Sequence, residues 1–249
     1  MNGDFATPET AAGPERAAGP IPWRLFTSSM GFLTQSRLRR MLHLSGHQIC
    51  LGLPGKSDGV LVWGQSATSN RGQALAARRN LPLIRVEDAF LRSLRPGRMG
   101  DAPLGLLIDP LGVHFDASGP SLIEQCLHSD RLYDSNFLAR AETGIARLRA
   151  LDLSKYNIHD LSLPLPAPGY VLVVDQTKGD ASLRASGADH TTFQTMLARA
   201  RADYRSERIV IKSHPETARG LRPGHFSPAD AQKNVTLLSD LVSPHKLLA

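Results

Sequence analysis

Three short runs hold the side chains of this sequence best suited to chemistry. The first is Asp175-Gln176-Thr177-Lys178-Gly179-Asp180, continued by Ser182 and Arg184, where nearly every residue can accept, donate or hold charge around one glycine. The second is Glu87-Asp88, a carboxylate pair with Arg92, Ser93 and Arg95 close behind. The third is Lys212-Ser213-His214-Pro215-Glu216. A carboxylate pair beside cations can supply a general base whose pKa its neighbours tune. The first two runs each have a structural alternative: the first as a βα loop whose carboxylates cap a helix, the second as a loop cap paired with Arg92.

What positions these runs is a set of short apolar strands. Tyr170 to Val174 is rich in β-branched residues and bounded by Pro168-Gly169, which marks a buried strand of a parallel sheet stopping at Asp175. Arg208 to Lys212 is another, ending at Ser213-His214, and Val235 to Leu238 a third. Val60 to Trp63 and Leu83 to Val86 flank a helix over Gly72 to Arg79, a βαβ unit whose strands end at Gly64-Gln65-Ser66 and at Glu87-Asp88. Ligands of open α/β sheets bind beyond the carboxyl ends of the strands, where all these polar runs fall. Leu104 to Asp109 and Val113 to Asp116 read as a hairpin joined through Pro110 and Gly112. Helices are expected after Ser118-Gly119-Pro120-Ser121, over Asn136 to Leu151 and Thr191 to Tyr204, and from Ser243-Pro244.

The resulting expectation is an α/β chain of two Rossmann-like domains. Residues 1–20 form a disordered leader, 21–160 the first domain, the Pro-rich 161–168 a stiff linker, and 169–249 a second domain that stops unfinished. The composition suits real cores, with 41% hydrophobic residues. Twenty-nine Lys and Arg against 23 Asp and Glu favour acidic partners. Cys50 and Cys126 show no metal or redox spacing, consistent with free thiols in a reducing compartment. No apolar run approaches the roughly 20 residues that span a bilayer, and the leader lacks the pattern of a signal peptide. Ser36 to Leu44 suits a basic amphipathic helix with Arg37, Arg39 and Arg40, readable as an anionic-lipid contact or as a solvated face. Residues 50–57, CLGLPGKS, nearly spell a P-loop, but Cys50 replaces its first glycine and a strand rather than a helix follows, so a turn is expected. His43 and His47 lack a third ligand, and no metal site is expected.

The strings RVEDAFLRSL (Arg85 to Leu94), LGLLIDPLGVHFDASGPS (Leu104 to Ser121), LSKYN (Leu153 to Asn157), VLVVDQTKGDAS (Val171 to Ser182) and IKSHPE (Ile211 to Glu216) resemble, in this order, the bacterial capsule-polysaccharide β-Kdo transferases. The resemblance implies a GT-B-like glycosyltransferase, its second domain incomplete here, retaining configuration by double displacement through an aspartate-linked sugar. By position, Asp180 matches the nucleophile and Glu87 the carboxylate facing the acceptor, the general base. His214 and Pro215 match the His-Pro motif that meets the CMP part of the donor, with Lys212, Gln176 and Ser182 on the donor side and Asp88, Arg92 and Asp175 in support. Cationic or neutral donors such as Lys212 and His214 would offset the charge building on the departing phosphate.

The resemblance further implies CMP-Kdo as substrate, no cofactor or metal, and a lipid-linked Kdo acceptor of lysophospholipid type. It places the protein in the cytoplasm, in peripheral contact with the inner membrane and capsule-assembly proteins, with no nucleic-acid partner. Family members carry a further Ser-x-x-Gly-Phe-Glu segment beyond the point where this sequence stops, and many carry two such modules. Two other readings stand beside this one: a non-catalytic nucleotide- or glycolipid-binding Rossmann module, and a P-loop nucleotide hydrolase.

Overall fold

The computed structural model describes residues 21–249; the expected leader at 1–20 lies outside the described residues. The described chain divides into two compact units, one of residues 21–87 and Leu106–Leu111, the other of Asp88–Gly105 and Gly112–Ala249.

The first unit is built on β1 (Arg24–Phe26), α1 (Met30–Thr34), α2 (Ser36–Leu44), β2 (Gln48–Cys50), β3 (Gly59–Trp63), α3 (Ser69–Arg79), β4 (Leu83–Asp88) and β5 (Leu106–Asp109), with strands in the order β2-β1-β3-β4-β5. β1 runs parallel to β2 and β3, and β3 to β4 in the register Val60↔Leu83 through Trp63↔Val86. Strand β3 is apolar throughout because both its faces are covered. Leu61 joins Leu25, Phe32, Leu38, Leu42, Ile84 and Val86 on one side, while Val60 and Val62 meet Ala76 of α3 on the other. Gly72 permits that close approach, since a Cβ there would lie 2.3 Å from Val62 Cγ1. Helix α2 buries Leu38 and Leu42, four apart, and leaves Arg37, Arg39 and Arg40 exposed.

The run 50–57 is a turn, as its missing helix implied. The Asp58 carboxylate accepts from the Gly55 backbone N–H at 2.7 Å and from Arg24 at 2.9 Å, and β3 starts at the next residue. The expected hairpin is not formed: Leu106–Asp109 is a strand beside β4, but Val113–Asp116 is a turn closed by Asp116 N–H donating to Val113 O at 3.0 Å. Side chains take the hydrogen bonds a partner strand would have used. Asp109 Oδ1 accepts from Leu111 N–H, and Asp116 Oδ1 from both the backbone and hydroxyl of Ser118.

The second unit carries α4 (Leu122–Leu127), α5 (Ser135–Ala150), β6 (Tyr170–Val174), α6 (Ala181–Ala185), α7 (His190–Asp203), β7 (Arg208–Lys212), α8 (Pro215–Ala218), β8 (Val235–Leu238) and α9 (Pro244–Leu248). Strands β6, β7 and β8 form a parallel sheet in that order, with Val174, Lys212 and Leu238 level at its carboxyl edge. Phe193 and Leu197 of α7 pack with Val173, Ile209, Ile211, Phe226 and Val235 on one face. Val210, Leu238, Val242 and Leu247 pack on the other, joined by Leu163, Tyr170 and Leu172. The proline-bearing stretch 161–168 lies within this unit. Ser121 starts α4 with a full capping box to Glu124. Among the described residues no helix is long and apolar enough to cross a membrane.

Candidate functional site

The carboxyl edge of the β6-β7-β8 sheet gathers two of the three polar runs. Strand β6 gives out at Asp175, which is buried and tied into the sheet by its N–H to Lys212 O at 2.9 Å. Its Oδ1 accepts from the backbone N–H groups of Gln176 (2.8 Å) and His225 (3.0 Å). A Cβ at Gly224 would sit 2.2 Å from Asp175 Oδ2, so the segment after α8 is pressed directly onto this carboxylate. Asp175 is therefore a pin between two loops. Gln176 also turns inward, its Oε1 accepting from Thr177 N–H at 2.8 Å.

Asp180 follows Gly179, whose φ of 72° sets the tight turn, and it caps α6. Its Oδ1 accepts from Ser182 N–H at 3.0 Å and from the Ser182 hydroxyl at 2.7 Å. Its Oδ2 accepts no hydrogen bond among the described residues and faces Arg222 Nη1 at 3.5 Å. Burial pushes the Asp180 pKa up, but the two Ser182 bonds together with the charges of Arg222 and Lys155 outweigh it and hold the carboxyl below its ordinary range. The result is an ionised carboxylate with one oxygen fixed and the other uncommitted, which is what a nucleophile needs.

His214 ends the β7 run and caps α8, its Nδ1 accepting from Glu216 N–H at 3.2 Å. That bond assigns the proton to Nε2. Burial drives its pKa down to about 4, with Lys155, Arg222 and Lys212 nearby also opposing a positive charge and only Asp180 favouring one. The ring is a neutral donor. Lys212 donates to Ser213 O at 2.9 Å, and burial lowers its pKa against the pull of Asp240. Beside them opens a cavity of about 300 Å³, walled by Leu172, Val174, Val242 and Leu247, with Asp175, Lys212, His214 and Tyr156 at its polar side. Apolar walls with a few convergent polar groups suit a planar ring attached to a charged group.

Three residues absent from the sequence-derived set join this cluster. Arg222 reaches Asp180, approaches Glu216 Oε2 at 3.7 Å and donates to Lys178 O at 2.8 Å. Lys155 lies within electrostatic reach of Asp180 and His214. Tyr156 has its hydroxyl pKa pushed up to about 12, by burial first and then by the Asp88 carboxylate, so it stays a neutral donor. Lys155 and Tyr156 belong to the LSKYN block, whose local order was visible without any hint of what it touches. Its backbone explains its place: Lys155 O accepts from Arg92 N–H and Ser93 N–H, and Asn157 from its side chain donates to Ser93 O.

The Glu87-Asp88 pair is split between the two units. Asp88 is held by Arg92 Nε at 2.7 Å, and the buried Arg92 also donates to Ser93 Oγ and Asp101 O, which is structural support in the second unit. Glu87 belongs to the first unit, at the carboxyl end of β4. It lies over Gly64, where φ is 39° and a Cβ would fall 1.6 Å from Glu87 Oε1. Gly64 is itself fixed, donating to Val86 O at 2.9 Å and accepting from Arg85 Nη1 at 2.6 Å. Gly64, just past β3, thus seats the Glu87 carboxylate near the end of β4.

A family model described as Capsule polysaccharide biosynthesis protein matches residues 58–167 and 165–249. The capsule polysaccharide modification protein LipA of Neisseria meningitidis serogroup B is 33% identical over 229 residues, covering 87% of this chain and 32% of its own length. The lipopolysaccharide-processing protein LpsZ of Rhizobium meliloti is 30% identical over 184 residues, 72% of this chain and 42% of its own. The chain thus spans about a third to two fifths of these relatives. Among solved structures, Thermosulfurimonas dismutans KpsC, beta Kdo 2,4 transferase, superposes with a TM-score of 0.79 at 27% identity, over 90% of this chain and 71% of that one. The beta Kdo 2,7 transferase of the same organism's KpsC shares the fold, with a TM-score of 0.57 at 22% identity, over 86% of this chain and 65% of that one.

Proposed function

Because the chain belongs to the capsule polysaccharide biosynthesis protein family, we propose that it carries the machinery of a retaining glycosyltransferase that moves β-linked Kdo from CMP-Kdo to a lipid-linked acceptor. The observation that carries this reading is Asp180: ionised, pinned by Ser182 through one oxygen, and, among the described residues, without a hydrogen bond at the other. In the first step an Asp180 oxygen attacks the anomeric carbon, the bond from that carbon to the CMP phosphate oxygen breaks, and the electron pair leaves with CMP. His214 Nε2–H and Lys212 meet the charge building on the phosphate, and the cavity beside them takes the base. In the second step the acceptor hydroxyl attacks the same carbon, its proton passes to Glu87, and Asp180 leaves as a carboxylate. Two inversions give retention.

The acidic sugar and the phosphate both suit a cluster containing Lys155, Lys212 and Arg222. The assignment of the 21–160 domain to the acceptor side and of 169–249 to the donor belongs to the same proposal, with Lys155 and Tyr156 joining the donor cluster. So do a cytoplasmic location, the lysophospholipid type of acceptor, and peripheral contact with the inner membrane and capsule-assembly proteins, for which exposed Arg37, Arg39 and Arg40 of α2 offer a basic face. CMP-Kdo turnover with a lipid-linked Kdo acceptor, compared between the native sequence and Asp180→Asn, tests the reading. Asn keeps a helix cap, so stability should hold while transfer falls by about 10⁴-fold or more; a variant that transfers at the native rate would remove Asp180 from the chemistry.

A further inference from the structure

The segment from Gly220 to Phe226 contains no recognisable motif, yet it is stitched to the Asp180 loop at every turn. Lys178 N–H donates to Pro223 O at 2.8 Å, and Arg222 Nη2 returns a bond of 2.8 Å to Lys178 O. Thr177 pairs with Gly224 as an isolated antiparallel bridge, and His225 N–H donates to Asp175 Oδ1 at 3.0 Å. Gly224 is packed so tightly against Asp175 that no side chain fits. These ties leave Arg222 little freedom to swing away: its guanidinium is a fixed cation, only 19% exposed, standing between Asp180 Oδ2 at 3.5 Å and Glu216 Oε2 at 3.7 Å.

Those separations decide what Arg222 does. They are too long for strong hydrogen bonds, so the guanidinium attracts Oδ2 without occupying its lone pairs. Oδ1, by contrast, is saturated by Ser182. We infer that Arg222 is a positioning residue that keeps Asp180 Oδ2 ionised, aimed and available, and that Asp175 acts at one remove by anchoring the segment that carries it. Oδ2 is then the attacking atom. When it bonds to the sugar Asp180 loses its charge, and Arg222 keeps Glu216 as its partner, so the cation is never stranded during the reaction.

This inference rests on Asp180 being the reacting carboxylate, and it can be tested without donor or turnover. The charged and titratable groups facing Asp180 are Arg222, Glu216, Lys155, His214 and Tyr156, with Ser182 bonded to it. A carboxyl ¹³C NMR titration of Asp180 in the native chain should place its midpoint below the ordinary carboxylate range. Arg222→Gln should move it upward, Arg222→Lys should leave it low, and Gly224→Ala, which displaces Asp175, should move it in the same direction as Gln.

Adding guanidinium to Arg222→Ala should return the midpoint toward the native value, a result that loss of loop structure alone would not give. A Gln variant that titrates like the native chain, a Lys variant as shifted as Gln, or an Ala variant that guanidinium does not restore would each overturn the inference. In transfer assays Arg222→Gln should lower kcat by about 10²–10³-fold with its acid limb moved to higher pH. Shifted titrations with no transfer by any form would defeat the proposed function and leave the electrostatic role of Arg222 standing.

Discussion

Glu87 can be displaced without altering it, through the glycine beneath it. In Gly64→Ala the new methyl would begin 1.6 Å from Glu87 Oε1 and 2.6 Å from its Cδ. The carboxylate tip must retreat by roughly 2 Å to reach ordinary contact distance. The tip is the far end of a flexible side chain, so it moves while the strands stay. The remaining cost is placing alanine at φ 39°, about 1–2 kcal/mol. For transfer, a general base misplaced by more than about 1 Å costs on the order of 10²-fold. The prediction is therefore a folded protein, mildly destabilised in urea, whose rate of sugar transfer falls about a hundredfold.

Glu87→Ala should lose a similar factor, and in Gly64→Ala/Glu87→Ala the second substitution should add little. The clash term should also vanish in that double variant, leaving only the backbone strain. Comparing unfolding free energies and transfer rates across the four proteins checks both parts. Multiplying losses, or a Gly64→Ala protein with the native rate, would refute the idea that Glu87 works from its seat on Gly64.

Arg92→Ala should cost about 3–5 kcal/mol in denaturant unfolding, because it strands Asp88 after removing a partner at 2.7 Å. Asp180→Ala should lower stability by about 1 kcal/mol through loss of the α6 cap, whereas Asp180→Asn should not. His214 gives a pH signature. Its pKa near 4 in the fold against 6.5 in the unfolded chain means that the unfolded chain binds the proton first, so stability falls as pH drops from 6.5 to 4 and changes no further from this group below that. After allowance for solvent screening the loss is about 1–2 kcal/mol. His214→Asn, which can still cap α8, should flatten that slope in a pH series of unfolding curves.

The sheet elements of the second unit were legible in the sequence because each strand is a compact apolar run with turn residues at both ends. β7 and β8 begin and end where the pattern put them, at Arg208–Lys212 and Val235–Leu238. Val113 to Asp116 misled because an apolar-polar alternation is also what a turn shows when one side chain is buried and the next exposed; Val113 is buried while Asp116 ties off the backbone. Asp180 and His214 stood out through the DQTKGDAS and IKSHPE blocks, and both lie in the polar segments that follow β6 and β7. Arg222 did not stand out. It lies in an arginine-, glycine- and proline-bearing loop with no periodicity, and its importance comes from pairing with a loop more than forty residues earlier, through Lys178 and Asp180. Tyr156 was hidden for the same reason, since only the fold brings it toward Asp88 and Asp180.

The central claim is that Asp180 forms a bond to the sugar. Mixing the protein with CMP-Kdo in the absence of acceptor, quenching in acid, and locating any adduct by peptide mass spectrometry tests it most directly. A single added Kdo residue on the peptide carrying Asp180, absent in Asp180→Asn and discharged by acceptor, is the predicted result. Release of CMP and formation of product with no adduct on that peptide at any quench time, or with undiminished turnover in Asp180→Asn, would contradict it.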